Sequence, residues 1–243
     1  MTKAGRDTVD SLAQLVRLGA VLIAGSLLMS SEARAQSLTG TTGLVSIPTG
    51  RIMEDSELRA GLQWIAPGHH HFYGHHTRRG LVQSLSLGFL PFLEVDLRLT
   101  RPLDVPRQAL GDRMVSFRVQ LIDEGARRPA LAVGMHDIVG TRLYSATYVV
   151  ASKEVRITPA SIGITAGYGE NVLDLAVYDE QFVGLFGGVS VAPRPWLALM
   201  AEYDGEQPNA GVRIGPLRGF AVLLAAHDLD ALSGGMTYTL RLR

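Results

Sequence analysis

Nine charged side chains fall in stretches of this sequence where every second residue is apolar: Glu57, Arg59, Glu94, Asp96, Arg98, Arg118, Glu202, Arg213 and Arg241. They mix carboxylates with guanidiniums, and the planar fork of arginine matches a carboxylate that water solvates poorly. An unmatched buried carboxylate is costly, so charges of both signs facing a narrow interior must pair or be satisfied by other polar groups. Glu94, Asp96, Arg98, Arg118, Glu202 and Arg213 are therefore the candidate interior-facing polar network. Its chemistry is chiefly structural, with a sugar-binding or conducting track as the alternative.

The densest unusual segment is His69-His70-His71-Phe72-Tyr73-Gly74-His75-His76. Imidazoles at that density could hold zinc or copper, but a functional site fixes three ligands on rigid elements and supports them from behind. This segment has no cysteine or carboxylate nearby and is flanked by Gly68 and Gly74. It reads as a solvated loop whose charge rises below about pH 6.5, with no metal site and no cofactor. His136-Asp137 and His227-Asp228 repeat a dipeptide that supplies metal ligands in some hydrolases, though there it sits on helices. Ser, His and Asp are all present, yet no serine stands in a G-x-S-x-G turn and no spacing singles out a base. A barrel hydrolase is the weakest of the readings, and no catalytic residue is assigned.

The elements that must carry the charges alternate with period two. In Leu93-Glu94-Val95-Asp96-Leu97-Arg98-Leu99 every charge lies on one face and every leucine or valine on the other. Similar runs recur about twelve times from Glu57 onward, an even number. Their apolar faces are assigned as Leu58 to Ala66, Leu85 to Phe89, Val115 to Leu121, Leu131 to Met135, Tyr144 to Val150 and Ile162 to Tyr168, each taking alternate residues. Five further runs follow between Val183 and Leu242. Leu90-Pro91, Asp123 to Arg127, Lys153 to Arg156, Pro193 to Pro195 and Gly215 to Arg218 read as short links. Pro67 to Gly80, Arg101 to Gly111 and Gly169 to Glu180 read as long ones. The two kinds alternate, as in bacterial outer-membrane barrels, and the histidine segment falls on the long, outer side. Trp64, Phe89, Phe92, Tyr168, Trp196 and Tyr203 stand at strand ends, where interfacial aromatic girdles belong.

The first 35 residues resemble a secretory signal: Lys3, Arg6 and Arg17 precede an apolar run from Leu18 to Met29, then Ala33-Arg34-Ala35 offers a cleavage site. That run is too short to span a hydrocarbon core. Residues 36–55, rich in Gly, Ser and Thr and without alternation, form either a periplasmic lead-in or a segment inside the barrel. Residues 56–243 form the barrel. With 23 basic and 23 acidic residues there is no net field to attract nucleic acid. The sequence has no cysteine, which excludes disulfides and the lipid-attachable residue of a lipoprotein. A soluble sandwich that binds a glycan would show the same alternation. Against it, the polar faces are mostly Gly, Ala, Ser and Thr, and Lys153 is the one lysine after the leader.

Several phrases resemble the YjbH-like family of outer-membrane proteins associated with exopolysaccharide production. They are Gly43-Leu44-Val45-Ser46-Ile47-Pro48-Thr49-Gly50-Arg51, Leu90 to Arg98, and Asp112 to Gly125. Pro129 to Gly134, Asp137 to Thr141, Ala151-Ser152-Lys153, Phe186-Gly187-Gly188 and Met200-Ala201-Glu202-Tyr203-Asp204 continue the resemblance. Fuller members of the family are much longer, Thr147 stands where an acidic residue is expected, and Arg243 ends the chain where barrels usually end in an aromatic. The resemblance implies an antiparallel transmembrane β-barrel in the outer membrane. It implies a non-enzymatic part in polysaccharide production, secretion or retention, with lipid and a surface polysaccharide or its export machinery as partners.

Overall fold

The computed structural model describes residues 36–67, 79–103, 111–173 and 181–242. The leader and the whole of the histidine segment, His69 to His76, lie outside them. Twelve strands follow one another: β1 (Glu57–Ile65), β2 (Gly80–Leu90), β3 (Leu93–Pro102), β4 (Asp112–Ile122), β5 (Ala130–Gly140), β6 (Ala146–Ile157), β7 (Ala160–Glu170), β8 (Gly184–Arg194), β9 (Leu197–Tyr203), β10 (Pro208–Leu217), β11 (Phe220–His227) and β12 (Ala231–Arg241). Each pairs antiparallel with its neighbours in sequence, and β1 pairs with β12, so the sheet closes on itself. Leu58, for example, lies between Leu87 of β2 and Leu240 of β12. Closure removes the unpaired edges that an open sheet would expose, and it excludes the two-sheet sandwich.

Because the side-chain period is two, each strand turns one set of residues inward and the other outward. The outer face is apolar and open: Leu62, Leu97, Ile164, Leu185, Leu224 and Met236 are all exposed. Trp64, Tyr168 and Tyr203 lie on the outer face near the long-link end, and Phe89, Phe92 and Trp196 near the short-link end. Inside, aromatic rings lie over glycines on the adjacent strand. Tyr148 faces Gly134 across β5 and β6, and Phe186 faces Gly167 across β7 and β8. A Cβ at Gly134 would sit 2.1 Å from the Tyr148 ring, so the glycine is what lets the ring lie flat against the wall.

Two expectations need correction. The apolar face assigned to β6 is inverted: Tyr148 and Val150 are buried inside, and Val149 and Val155 face out. Over residues 146–151 neither face of β6 carries a charge because the interior it lines there is apolar, so alternation alone could not orient the strand. Several short links are also displaced. The link expected at Lys153 to Arg156 is strand, and the turn falls at Thr158-Pro159. Pro193 and Pro216 lie within β8 and β10, at register shifts where a missing N–H breaks no ladder bond. On the long-link side, residues 143–145 fold inward, and Leu143 and Tyr144 bury against Met114.

Candidate functional site

The barrel interior is filled by residues 36–53. Ser, Thr and Gly disfavour regular structure here because their hydroxyls bond the local backbone and compete with helix or sheet. Ser37 Oγ contacts Thr39 Oγ1 at 2.7 Å, Thr39 Oγ1 donates to Ser46 O at 3.0 Å, and Leu38 N donates to Val45 O at 2.7 Å. At Gly43 the chain doubles back so closely that a Cβ would meet Ile47 O at 2.2 Å. The resulting knot turns Leu38, Leu44, Val45 and Ile47 into the apolar half of the lumen, against Tyr148, Phe182, Phe186, Met200 and Leu223. Burying each such side chain contributes about 1.5–3 kcal/mol.

An irregular segment buried in this way leaves backbone N–H and C=O groups to be satisfied, and the wall charges satisfy them. Glu202 of β9 accepts Val45 N at 2.8 Å and Ser46 N at 2.6 Å. Arg213 of β10 donates through Nη2 to Leu44 O at 2.6 Å and Gly43 O at 2.9 Å. Six strands away around the barrel, Glu94 of β3 accepts Met53 N at 2.7 Å and Thr42 N at 3.2 Å. Arg118 of β4 donates to Thr42 O at 2.8 Å and forms an ion pair with Glu94, both side chains fully buried. Asp96 lies 4.0 Å from Arg118 Nε. Arg98 reaches Thr39 O at 3.4 Å and Asp112 at 3.6 Å.

The six candidate residues therefore all face the interior, but they do not meet across it. Arg118 and Glu94 pair as neighbours on adjacent strands, whereas Glu202 and Arg213 hold the plug from the opposite wall. The sequence groups the charges and leaves residues 36–55 as either a lead-in or a segment inside the barrel, without joining the two. The sign of that link was present in the Gly, Ser and Thr of residues 36–50, interrupted by Leu44, Val45 and Ile47. Arg59, whose Nη1 donates to Thr42 Oγ1 at 3.1 Å, belongs to the same cradle.

Below the plug, at the short-link end, Arg51 binds Glu154 at 2.7 Å and also pairs with Glu124. Burial opposes the charge on Arg51, but bonds to Glu154 and Glu124 hold its pKa above the ordinary value. Burial likewise works to raise the Glu124 carboxyl. It is outweighed by the Glu154 N–H donated at 2.8 Å and by Arg51 and Lys153, so Glu124 lies below the usual carboxylate range. Beside this cluster a cavity of about 400 Å³ opens between the plug and the inner faces of β6 to β10. At the opposite end the lumen narrows to a cavity of about 40 Å³.

Among the described residues Ser116 and His136 make the Ser–His contact that bears on hydrolysis: Oγ to Nδ1 at 3.2 Å, with the Asp137 N–H donated to the same Oγ at 3.1 Å. Both residues are buried, the imidazole packs edge-on against Phe182, and neither lines the two cavities just described. This geometry fixes the β5 end rather than presenting a nucleophile. Among the described residues no three His, Asp or Glu side chains are disposed to hold a metal.

Residues 35–211, the plug together with β1 to the start of β10, match the family described as exopolysaccharide biosynthesis protein YbjH. The chain is similar to the uncharacterized lipoprotein YjbH of Escherichia coli (strain K12), at 30% identity over 70% of this chain and 28% of that relative's length. It thus spans less than a third of the relative. Over the matched residues, which hold the plug and, of its charged cradle, Arg59, Glu94, Asp96, Arg98, Arg118 and Glu202, this chain belongs to the YjbH exopolysaccharide biosynthesis family.

Proposed function

We propose that this chain is an outer-membrane β-barrel that assists exopolysaccharide production, secretion or retention without catalysing a reaction. The observation that carries the reading is the polarity of the closed wall: exposed leucine, isoleucine, valine and methionine outside, buried charge inside. A soluble monomer rarely exposes an apolar belt of this extent, whereas lipid solvates one on a barrel whose backbone bonds are all internal. Aromatic side chains near both ends of the belt suit the two interfaces of a bilayer.

The plug shapes what such a barrel can do. With residues 36–53 seated, the interior is occupied by the chain itself, so a polymer passes only if they withdraw. An accessory role at the membrane, engaging the polysaccharide or its export machinery, fits this state better than a standing open pore.

Fractionation tests the location: after a carbonate or urea wash the protein stays with the outer membrane and shows heat-modifiable gel mobility. Release into the soluble periplasm would defeat the proposal. Deleting the gene should lower released or surface-bound polysaccharide, and restoring the chain should recover it.

A further inference from the structure

We infer that the cavity at the short-link end is a binding site for a carboxylated saccharide, with Arg213 as its inner anchor. This inference rests on the reading of the protein as a polysaccharide accessory and adds a ligand class to it.

Three features of the cavity point that way. Its volume of about 400 Å³ falls in the range of small-molecule sites and suits a short stretch of one sugar chain. Its floor is rich in small hydroxyls, with Ser152, Ser161, Thr165 and Ser190 on the inner faces of β6, β7 and β8. Hydroxyls both donate and accept, which is what the hydroxyls of a sugar require. Its charge balance is positive: Arg51, Lys153, Arg156 and Arg213 line it beside a single carboxylate, Glu154. Counting Glu124, which pairs with Arg51 and Lys153 from behind, leaves the cations in excess.

Arg213 gives the site its selectivity. It is buried, its Nη2 is held by the neutral carbonyls of Gly43 and Leu44, and its Nε has no hydrogen-bond partner among the described residues. No carboxylate among those residues lies within 4.0 Å of it. Glu202 on the adjacent strand acts on this guanidinium only at a distance, and Arg59 opposes it, so an anion entering from the cavity would supply the direct partner it lacks. A carboxylate on a sugar supplies that anion while its ring hydroxyls meet the serine and threonine floor.

The test is calorimetric titration of the purified full-length protein in detergent with a galacturonate trimer and, separately, with maltotriose. The trimer should bind, with maltotriose weaker by about tenfold or more, and Ser161→Trp, which fills the cavity from the β7 wall and replaces no plug residue, should weaken trimer binding by about tenfold. Arg213→Gln should do the same, and Arg128→Gln, outside the cavity, should not. Equal binding of the two trimers, undiminished binding by Ser161→Trp, or full displacement by equimolar acetate or phosphate would overturn the inference. The two levels separate cleanly. Reduced polysaccharide in the deletion strain with no trimer binding overturns this inference alone, while unchanged polysaccharide with selective trimer binding upholds it and overturns the wider reading.

Discussion

Glu202 Oε1 accepts the backbone N–H of Ser46 at 2.6 Å, joining residues 156 positions apart in the chain. One carboxylate on the ninth strand thereby fixes a loop that precedes the first. Val45 N reaches the other oxygen at 2.8 Å, so the contact is two-pronged and charge-assisted. Replacing Glu202 with Gln keeps the shape but removes the charge and one acceptor. The expected cost is about 1–3 kcal/mol, read as a lower urea midpoint for unfolding in detergent, with Asp55→Asn at the exposed barrel rim as the unchanged control.

The Arg118–Glu94 pair should respond asymmetrically. Arg118→Met leaves a buried carboxylate with two plug N–H groups as its main partners and should cost about 3–5 kcal/mol. Adding Glu94→Gln should restore part of that, because the uncompensated charge is gone, so the double variant should be less damaged than the sum of the single ones. A strictly additive double-mutant cycle would show that the two side chains act independently.

The two faces of β3 should differ sharply in assembly. Arg at Leu97, which is exposed on the apolar wall, should cost about 2–4 kcal/mol near the bilayer midplane, whereas Asn at Asp96, on the inner face, should leave insertion intact. The fraction of heat-modifiable protein in the outer membrane measures both. Normal assembly of Leu97→Arg beside failure of Asp96→Asn would reverse the assignment of faces.

Gly134 should tolerate no side chain while Tyr148 is present. Gly134→Ala places a Cβ against the ring, an overpacking expected to cost about 1–3 kcal/mol. Trimming the ring as well, in Gly134→Ala with Tyr148→Leu, should recover part of the loss in thermal stability.

The acidic cluster at the short-link end predicts one arm of the pH profile. The Glu124 pKa is lower folded than unfolded, so its stabilisation is complete above the unfolded value of about 4.3 and is lost as pH falls through the depressed folded value. Glu124→Gln should therefore lower stability at neutral pH and flatten the decline below about pH 4. Unfolding midpoints measured from neutral to acid pH in both proteins check this.

Strand number, closure and the facing of most strands were legible because lipid-type and interior-type residues alternate wherever the interior is polar. Glu94, Asp96 and Arg98 against Val95 and Leu97 left no ambiguity. Alternation failed in the first half of β6, where Tyr148 and Val150 cluster inward with Leu44, Val45 and Ile47, so over residues 146–151 neither face carried a charge. The charged residues of the site were legible for the same reason as the strands. Their role was not, because period-two patterning says nothing about a neutral, irregular segment whose backbone consumes those charges. Residues 153–156 read as a turn on polarity alone, although Lys153 and Glu154 are strand residues occupied in a mouth cluster with Glu124 and Arg51.

Under the proposed function, residues 36–53 close a membrane barrel and charges on opposite walls hold them shut. Conductance in planar lipid bilayers tests it most directly, comparing the intact protein with a variant lacking residues 37–49 after both are verified as heat-modifiable. The intact protein should stay closed and the variant should conduct steadily, with Glu202→Gln/Arg213→Gln flickering between the two. An intact protein that conducts as freely as the deletion variant would contradict the account.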